Sequence, residues 1–431
     1  MRAERLLRWA AWLALLGLLC FGLAVAFSHP PMRLMPPPLL FQHDGAAFGL
    51  AADLPEDSRL EVFYATSRLP AGPRDNRLYT VVPDRKLHLG LAEMRIGAEG
   101  TTWNQLLEWS TGSGGSDRPF IYLERMDEHA TVAPAEEPAP DAAAWLADID
   151  AALARSPDAD IIIYVHGANT TVERAAGQAA QLQHFSGRKA VVVLFAWPTA
   201  ENFLGYPRDI ESAFGGAPHL ADLITLLASR TSASSIDVFT YSAGATIGSE
   251  ALARLARERP VIADRLGEVY HAAPDADFRD FVADLELYAG HARRVSGAVN
   301  LNDSVLRLAQ VINRASRAGR PDLAELSPEA TAQLLAAADD GNLEVVQVQP
   351  DVIPDLSARS HTFWYDDPWV SNDVLVTLLF HLPPSDRQLL TGRTPGGARY
   401  WGFPADYPAR IPALRDHLRE MLRTARPADA G

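Results

Sequence analysis

The sequence predicts a doubly wound α/β fold, a mostly parallel sheet with helices on both faces. Short β-branched runs recur at Leu60–Thr66, Ile161–Val165, Val191–Trp197, Ile236–Tyr241, Glu268–Ala273, Arg294–Leu301 and Leu343–Val348. Runs such as Ile161-Ile162-Ile163-Tyr164-Val165 are apolar without a break, which suits strands covered on both sides. Amphipathic segments of helical length, among them Val172–Phe185, Asp209–Ser229 and Ala243–Glu258, lie between them.

Taken in chain order, the first element is a hydrophobic helix ahead of that fold. Arg2, Arg5 and Arg8 precede an uncharged run of 19 residues from Trp9 to Phe27, about the minimum for a membrane-spanning helix. The flanking arginines keep the amino terminus in the cytoplasm and send the rest of the chain across. Ala24-Val25-Ala26 also fits a small-residue cleavage site, so residues 1–27 read as a signal anchor or a signal peptide cut after Ala26. Pro30, Pro31 and Pro36 to Pro38 make residues 28–57 a stiff, extended linker. Residues 58–385 form the α/β domain, and 386–431 a C-terminal extension. Gly112–Gly115 and Ala133–Ala144 read as loops, and the insertion Arg307–Leu343 as a candidate cap.

Composition excludes several functions. There are 39 basic and 54 acidic residues, a net charge of −15, and no dense basic run, so a nucleic-acid partner is not expected. Cys20 is the one cysteine, which rules out an intramolecular disulfide and any multi-cysteine zinc site.

The chemistry-bearing residues cluster where strands end. Thr240-Tyr241-Ser242-Ala243-Gly244 follows a strand and opens a helix, giving G-x-S-x-G with its first glycine replaced by Thr240. Such a turn exposes a serine hydroxyl; an N-capping serine is the structural alternative. His166-Gly167-Ala168 follows another strand, so the N–H groups of Ala243 and Ala168 are candidate donors to an oxyanion. His166 reads as orienting that loop. The acid and base should follow the serine in the order Ser, Asp, His. Asp303 follows the strand Arg294–Leu301, where it could equally cap the next helix, and Asp275 is the rival acid. His361 lies beyond the last strand and is the candidate base. Trp197 and Tyr206, with Phe203 and Leu204, could wall a substrate pocket or pack as core.

Phe63-Tyr64-Ala65-Thr66-Ser67-Arg68, Val165-His166-Gly167-Ala168-Asn169, Trp197-Pro198-Thr199, Tyr206 with Asp209, and Ala273-Pro274-Asp275 occur in one order with Ser242, Asn302-Asp303 and His361-Thr362-Phe363. Together they resemble a bacterial esterase/lipase-like branch of the α/β-hydrolase superfamily called domain of unknown function 900, over roughly residues 58–381. The resemblance implies an α/β-hydrolase fold with Ser242, Asp303 and His361 as triad. Tyr241 and Ala243 depart from the His and Met common around that serine, which bears on substrate preference. The expected function is cleavage of small-molecule or lipid carboxylic esters through an acyl-enzyme, without metal or organic cofactor. A protease or thioesterase would use the same triad, and a catalytically silent binding module at the cell envelope is the alternative of another class. The expected location is the bacterial cell envelope, with the domain anchored outside the inner membrane through residues 9–27, or secreted if cleaved.

Overall fold

The computed structural model describes residues 31–42, 57–112, 118–133, 140–394 and 396–425, with isolated positions between 9 and 20. The expected export segment therefore falls mostly outside the described residues. Among the described residues no helix is long and apolar enough to cross a membrane.

The strands named above form the middle of one sheet. In chain order the strands are β1 (Met32–Arg33), β2 (Arg59–Ala71), β3 (Leu78–Ile96), β4 (Phe120–Val132), β5 (Ile161–Val165), β6 (Val191–Ala196), β7 (Ile236–Tyr241), β8 (Leu266–Ala272), β9 (Arg294–Val299), β10 (Leu343–Gln347), β11 (Leu390–Arg393) and β12 (Arg399–Gly402). They are ordered β1-β4-β3-β2-β6-β5-β7-β8-β9-β10-β12-β11 across the sheet. Every pairing from β2 through β12 is parallel; β1, β4 and β3 join in antiparallel fashion at one edge and β11 at the other.

The alternation within β5 divides the core. Ile162 and Tyr164 join an apolar cluster with the helices Val172–Phe185 and Pro368–Phe380. Ile161, Ile163 and Val165 join the opposite cluster, with the helices Pro140–Leu153, Tyr206–Arg230 and Gly244–Glu258. Successive strand side chains point to opposite faces, so a strand buried on both must be apolar throughout.

Four readings change. β3 and β4 are strands that the continuous apolar signal does not reveal, because they are only partly covered and carry charged residues along their length. Pro140–Ala144, read as loop, opens the helix Pro140–Leu153, where proline's fixed φ suits a first turn. The proline segment is no free spacer: β1 pairs with β4, and Leu34, Met35, Leu39, Leu40 and Phe41 are buried in the core. The C-terminal extension completes the sheet with β11 and β12, and its helix Tyr407–Ala425 buries Tyr407, Ile411, Leu414 and Leu418.

Candidate active site

β7 delivers the chain to Ser242 in a left-handed conformation, with φ of 53°. A β-carbon disfavours that region, so the turn holds only because its surroundings fix it. Ser242 N–H donates to Ala272 O at 3.0 Å, while Ser242 O accepts from Ala245 N at 2.9 Å and Asp275 N at 3.0 Å. The helix Gly244–Glu258 then runs close against β5: a β-carbon on Gly244 would lie 2.5 Å from Val165 O. Thr240, in place of the usual glycine, fits because Gly248 faces it from the helix. A β-carbon on Gly248 would lie 2.5 Å from Thr240 Cγ2. The Thr240 hydroxyl bonds to His271 Nδ1 at 2.7 Å, and His271 Nε2 to Tyr288 Oη at 3.0 Å.

The structure brings Ser242, His361 and Asp303 together. His361 Nε2 lies 2.8 Å from Ser242 Oγ, and His361 Nδ1 lies 2.6 Å from Asp303 Oδ2. With its proton on Nδ1, the neutral ring donates to Asp303 and accepts from the Ser242 hydroxyl. Asp303 also caps the helix Ser304–Asn313, Oδ1 accepting from Val305 N at 2.8 Å and Leu306 N at 3.0 Å. The two readings of Asp303 are thus both met, one by each oxygen. Asn300 Nδ2 donates to Ser360 O at 2.9 Å and ties the loop of the acid to that of the base. Tyr241 packs its ring 5.3 Å from the His361 ring.

Ala243 and Ala168, the two candidate oxyanion donors, carry no hydrogen bond on their N–H groups among those of the described residues. Gly167 lets this loop approach, since a β-carbon there would sit 2.9 Å from Ser242 Cβ. Residues that the sequence reading quoted without a role hold the loop. Asp209, wholly buried, accepts from Asn169 N at 2.9 Å and Ala200 N at 2.5 Å. Arg68, also wholly buried, donates to Trp197 O at 2.9 Å, Thr170 O at 2.9 Å and Thr199 Oγ1 at 3.2 Å, and pairs with Glu201. Bonds from arginine to two neighbouring segments, one after β5 and one after β6, fix their relative position. His166 bonds through Nδ1 to Gly167 O at 2.8 Å and stacks on Trp197 at 5.3 Å. Burial, with Arg68 nearby, pushes His166 down to about 3, so it is neutral.

Other candidates lie elsewhere. Asp275 does not meet His361; its carboxylate takes Arg317 Nε at 2.5 Å and Tyr206 Oη at 2.8 Å, beneath the serine turn. Trp197 is wholly buried core, its Nε1 donating to His166 O at 2.7 Å, so it walls no pocket. Tyr206 is buried too, its hydroxyl spent on Asp275 and Asn313. The insertion Arg307–Leu343 sends Arg317 to Asp275 and packs Ala318 in a cluster with Ala245, Phe278, Phe281 and Val282. A cleft of about 670 Å³ opens beside His361, lined by the apolar Pro36, Pro37, Val305 and Leu356 and by the charged Asp355, Arg359, Asp366 and Asp367.

A serine on a left-handed strand-to-helix turn, with a hydrogen-bonded imidazole and carboxylate from later strand ends, agrees with the family comparison. The family described as alpha/beta hydrolase of unknown function (DUF900) matches residues 141–361. The chain belongs to that family. The matched span holds Ser242, Asp303 and His361 and starts after the segment Phe63–Arg68. No curated protein matches the chain.

Proposed function

We propose that this α/β hydrolase is a serine hydrolase that cleaves carboxylic esters through an acyl-enzyme. The observation that carries the reading is the continuous line Asp303–His361–Ser242, with contacts of 2.6 and 2.8 Å, at the head of a helix. Ser242 Oγ attacks the ester carbonyl carbon while its proton passes to His361 Nε2, and Asp303 stabilises the imidazolium. The new oxyanion takes the N–H groups of Ala243 and Ala168, reinforced by the helix amino terminus. Collapse breaks the C–O bond, and His361 returns the proton to the leaving alkoxide. Water, deprotonated by His361, then attacks the acyl carbon and releases the acid and free Ser242. The cleft beside His361, lined by both apolar and charged side chains, takes part of the ester.

In the same proposal this activity lies at the bacterial cell envelope. Arg2, Arg5 and Arg8 before 19 uncharged residues support export or anchoring of everything that follows. Turnover of nitrophenyl esters of graded acyl length by the purified chain tests the activity. Hydrolysis lost in His361→Ala is the expected result; a folded wild type inert on every chain length favours the silent binding module.

A further inference from the structure

The amino-terminal ends of the central strands, opposite Ser242, gather charge from four elements. Asp158 and Asp160 lead into β5, Asp237 lies on β7 and Glu268 on β8. His381 follows the helix Pro368–Phe380 in a left-handed conformation, φ 53°. His381 Nε2 lies 3.3 Å from Asp160 Oδ2 and 3.7 Å from Asp158 Oδ2. Neither ring nitrogen makes a hydrogen bond. Among the described residues, His361–Asp303 and His291–Asp264 close to 2.6 Å and His88–Asp84 to 2.9 Å, while His88 Nδ1 stands 3.3 Å from Glu128 Oε2. The wider spacing around His381 is that of ligand atoms around a shared ion: tetrahedral bonds of about 2.0–2.2 Å put neighbouring ligands about 3.3–3.6 Å apart.

The carboxylates are held in that posture. Asp158 Oδ1 accepts from Ser156 Oγ at 2.9 Å and Asp160 N at 3.2 Å. Asp160 Oδ1 accepts from Ser235 N at 2.9 Å. Each therefore turns Oδ2 toward the imidazole. Behind the ring, Glu268 is 1 % exposed with neither oxygen hydrogen-bonded, and its Oε1 lies 3.7 Å from His381 Nδ1. Asp237, wholly buried, leaves Oδ2 without a hydrogen bond as well. Against these carboxylates stand Arg293, 3.5 Å from Asp160, and Arg294, 3.9 Å from Glu268 but closer, at 3.0 Å, to Glu344. Two guanidiniums, one of them shared, and the His381 ring face these carboxylates.

We propose that Asp158 Oδ2, Asp160 Oδ2 and His381 Nε2 ligate a divalent transition-metal ion, Zn²⁺ by preference, with Glu268 orienting the imidazole through Nδ1. Two carboxylates and one imidazole leave room for a water ligand, and the carboxylate behind the histidine is the usual partner of a metal-bound ring. Such an ion fastens the lead into β5 to the helix that follows the loop of His361.

The test uses the full-length chain, stripped with a chelator and titrated with zinc chloride by calorimetry, with bound metal counted by elemental analysis. The expected result is one Zn²⁺ per chain and a raised thermal midpoint. Asp158→Asn and His381→Gln abolish both, and Glu268→Gln weakens binding by about 10- to 100-fold. Ester turnover stays unchanged in Asp158→Asn, which also shows that the variant is folded. No stoichiometric uptake by the wild type, or equal uptake by Asp158→Asn and His381→Gln, leaves a histidinium among carboxylates and overturns the proposal.

Discussion

Gly248 leaves the volume that Thr240 fills. With Thr240 Cγ2 only 2.5 Å from where a Gly248 β-carbon would be, the serine turn keeps its close strand–helix approach although its first glycine is missing. Gly248→Ala is expected to cost about 1–3 kcal/mol by overpacking, read from denaturant unfolding. Adding Thr240→Ser removes Cγ2, keeps the hydroxyl on His271, and should recover most of the loss. Additive losses would mean that the two positions do not share this space.

Asp303 and Asp275 are separated by the same substitution. Asp303→Asn keeps an acceptor for the helix cap but removes the carboxylate that fixes the His361 tautomer. A fall of about 10⁴-fold in kcat on a nitrophenyl ester is expected, with little change in stability. Asp275→Asn loses charge opposite Arg317 and should lower stability more than kcat. The reverse pattern would return the catalytic role to Asp275.

Asp209 is expected to be a positioning residue for the oxyanion loop. An asparagine there can accept from only one of Asn169 N and Ala200 N, so the loop shifts relative to Ser242. Asp209→Asn should reduce kcat by up to about 10²-fold with KM nearly unchanged. A purely structural role would instead lower the yield of folded protein and leave kcat per active site intact.

Stability should fall as the medium is acidified. Burial pushes His166, His184 and His271 each down to about 3, with nearby arginines adding to the shift at His166 and His184. The unfolded chain binds these protons near pH 6.5, so unfolding takes up protons between about 3 and 6.5. The contribution is complete above pH 6.5 and lost as the pH drops, at about 1.4 kcal/mol per pH unit for each histidine. Urea unfolding at pH 5 and 6.5 measures the slope, and His271→Gln should make it shallower. An unchanged slope would contradict a neutral buried His271.

The parallel centre of the fold was legible because β5 and β6 are covered on both faces and apolar throughout, and because β7 and β8, buried at every position, keep β-branched and aromatic residues around Asp237 and Glu268. β3 and β4 escaped because half-covered strands interleave charged residues such as Glu93 and Arg125, which weakens the pattern. Ser242 and His361 were legible from their place at strand ends. Gly248 had a signal, a second glycine one helical turn after Gly244, that gains meaning only with Thr240 known to face it. Arg68, Asp209 and Asn300 act through long-range contacts to backbone groups, which leave no local spacing to read. Trp197 misled because an indole after a strand end suits a pocket wall and a core equally, and only its complete burial decides.

The account stands most directly on the reactivity of Ser242. Exposing the full-length chain to a fluorophosphonate and mapping the adduct by mass spectrometry should find one modification, on Ser242. It should be absent in Ser242→Ala and slowed in His361→Ala. A folded wild-type chain that takes no label, or takes it equally in Ser242→Ala, would contradict the assignment of Ser242 as nucleophile.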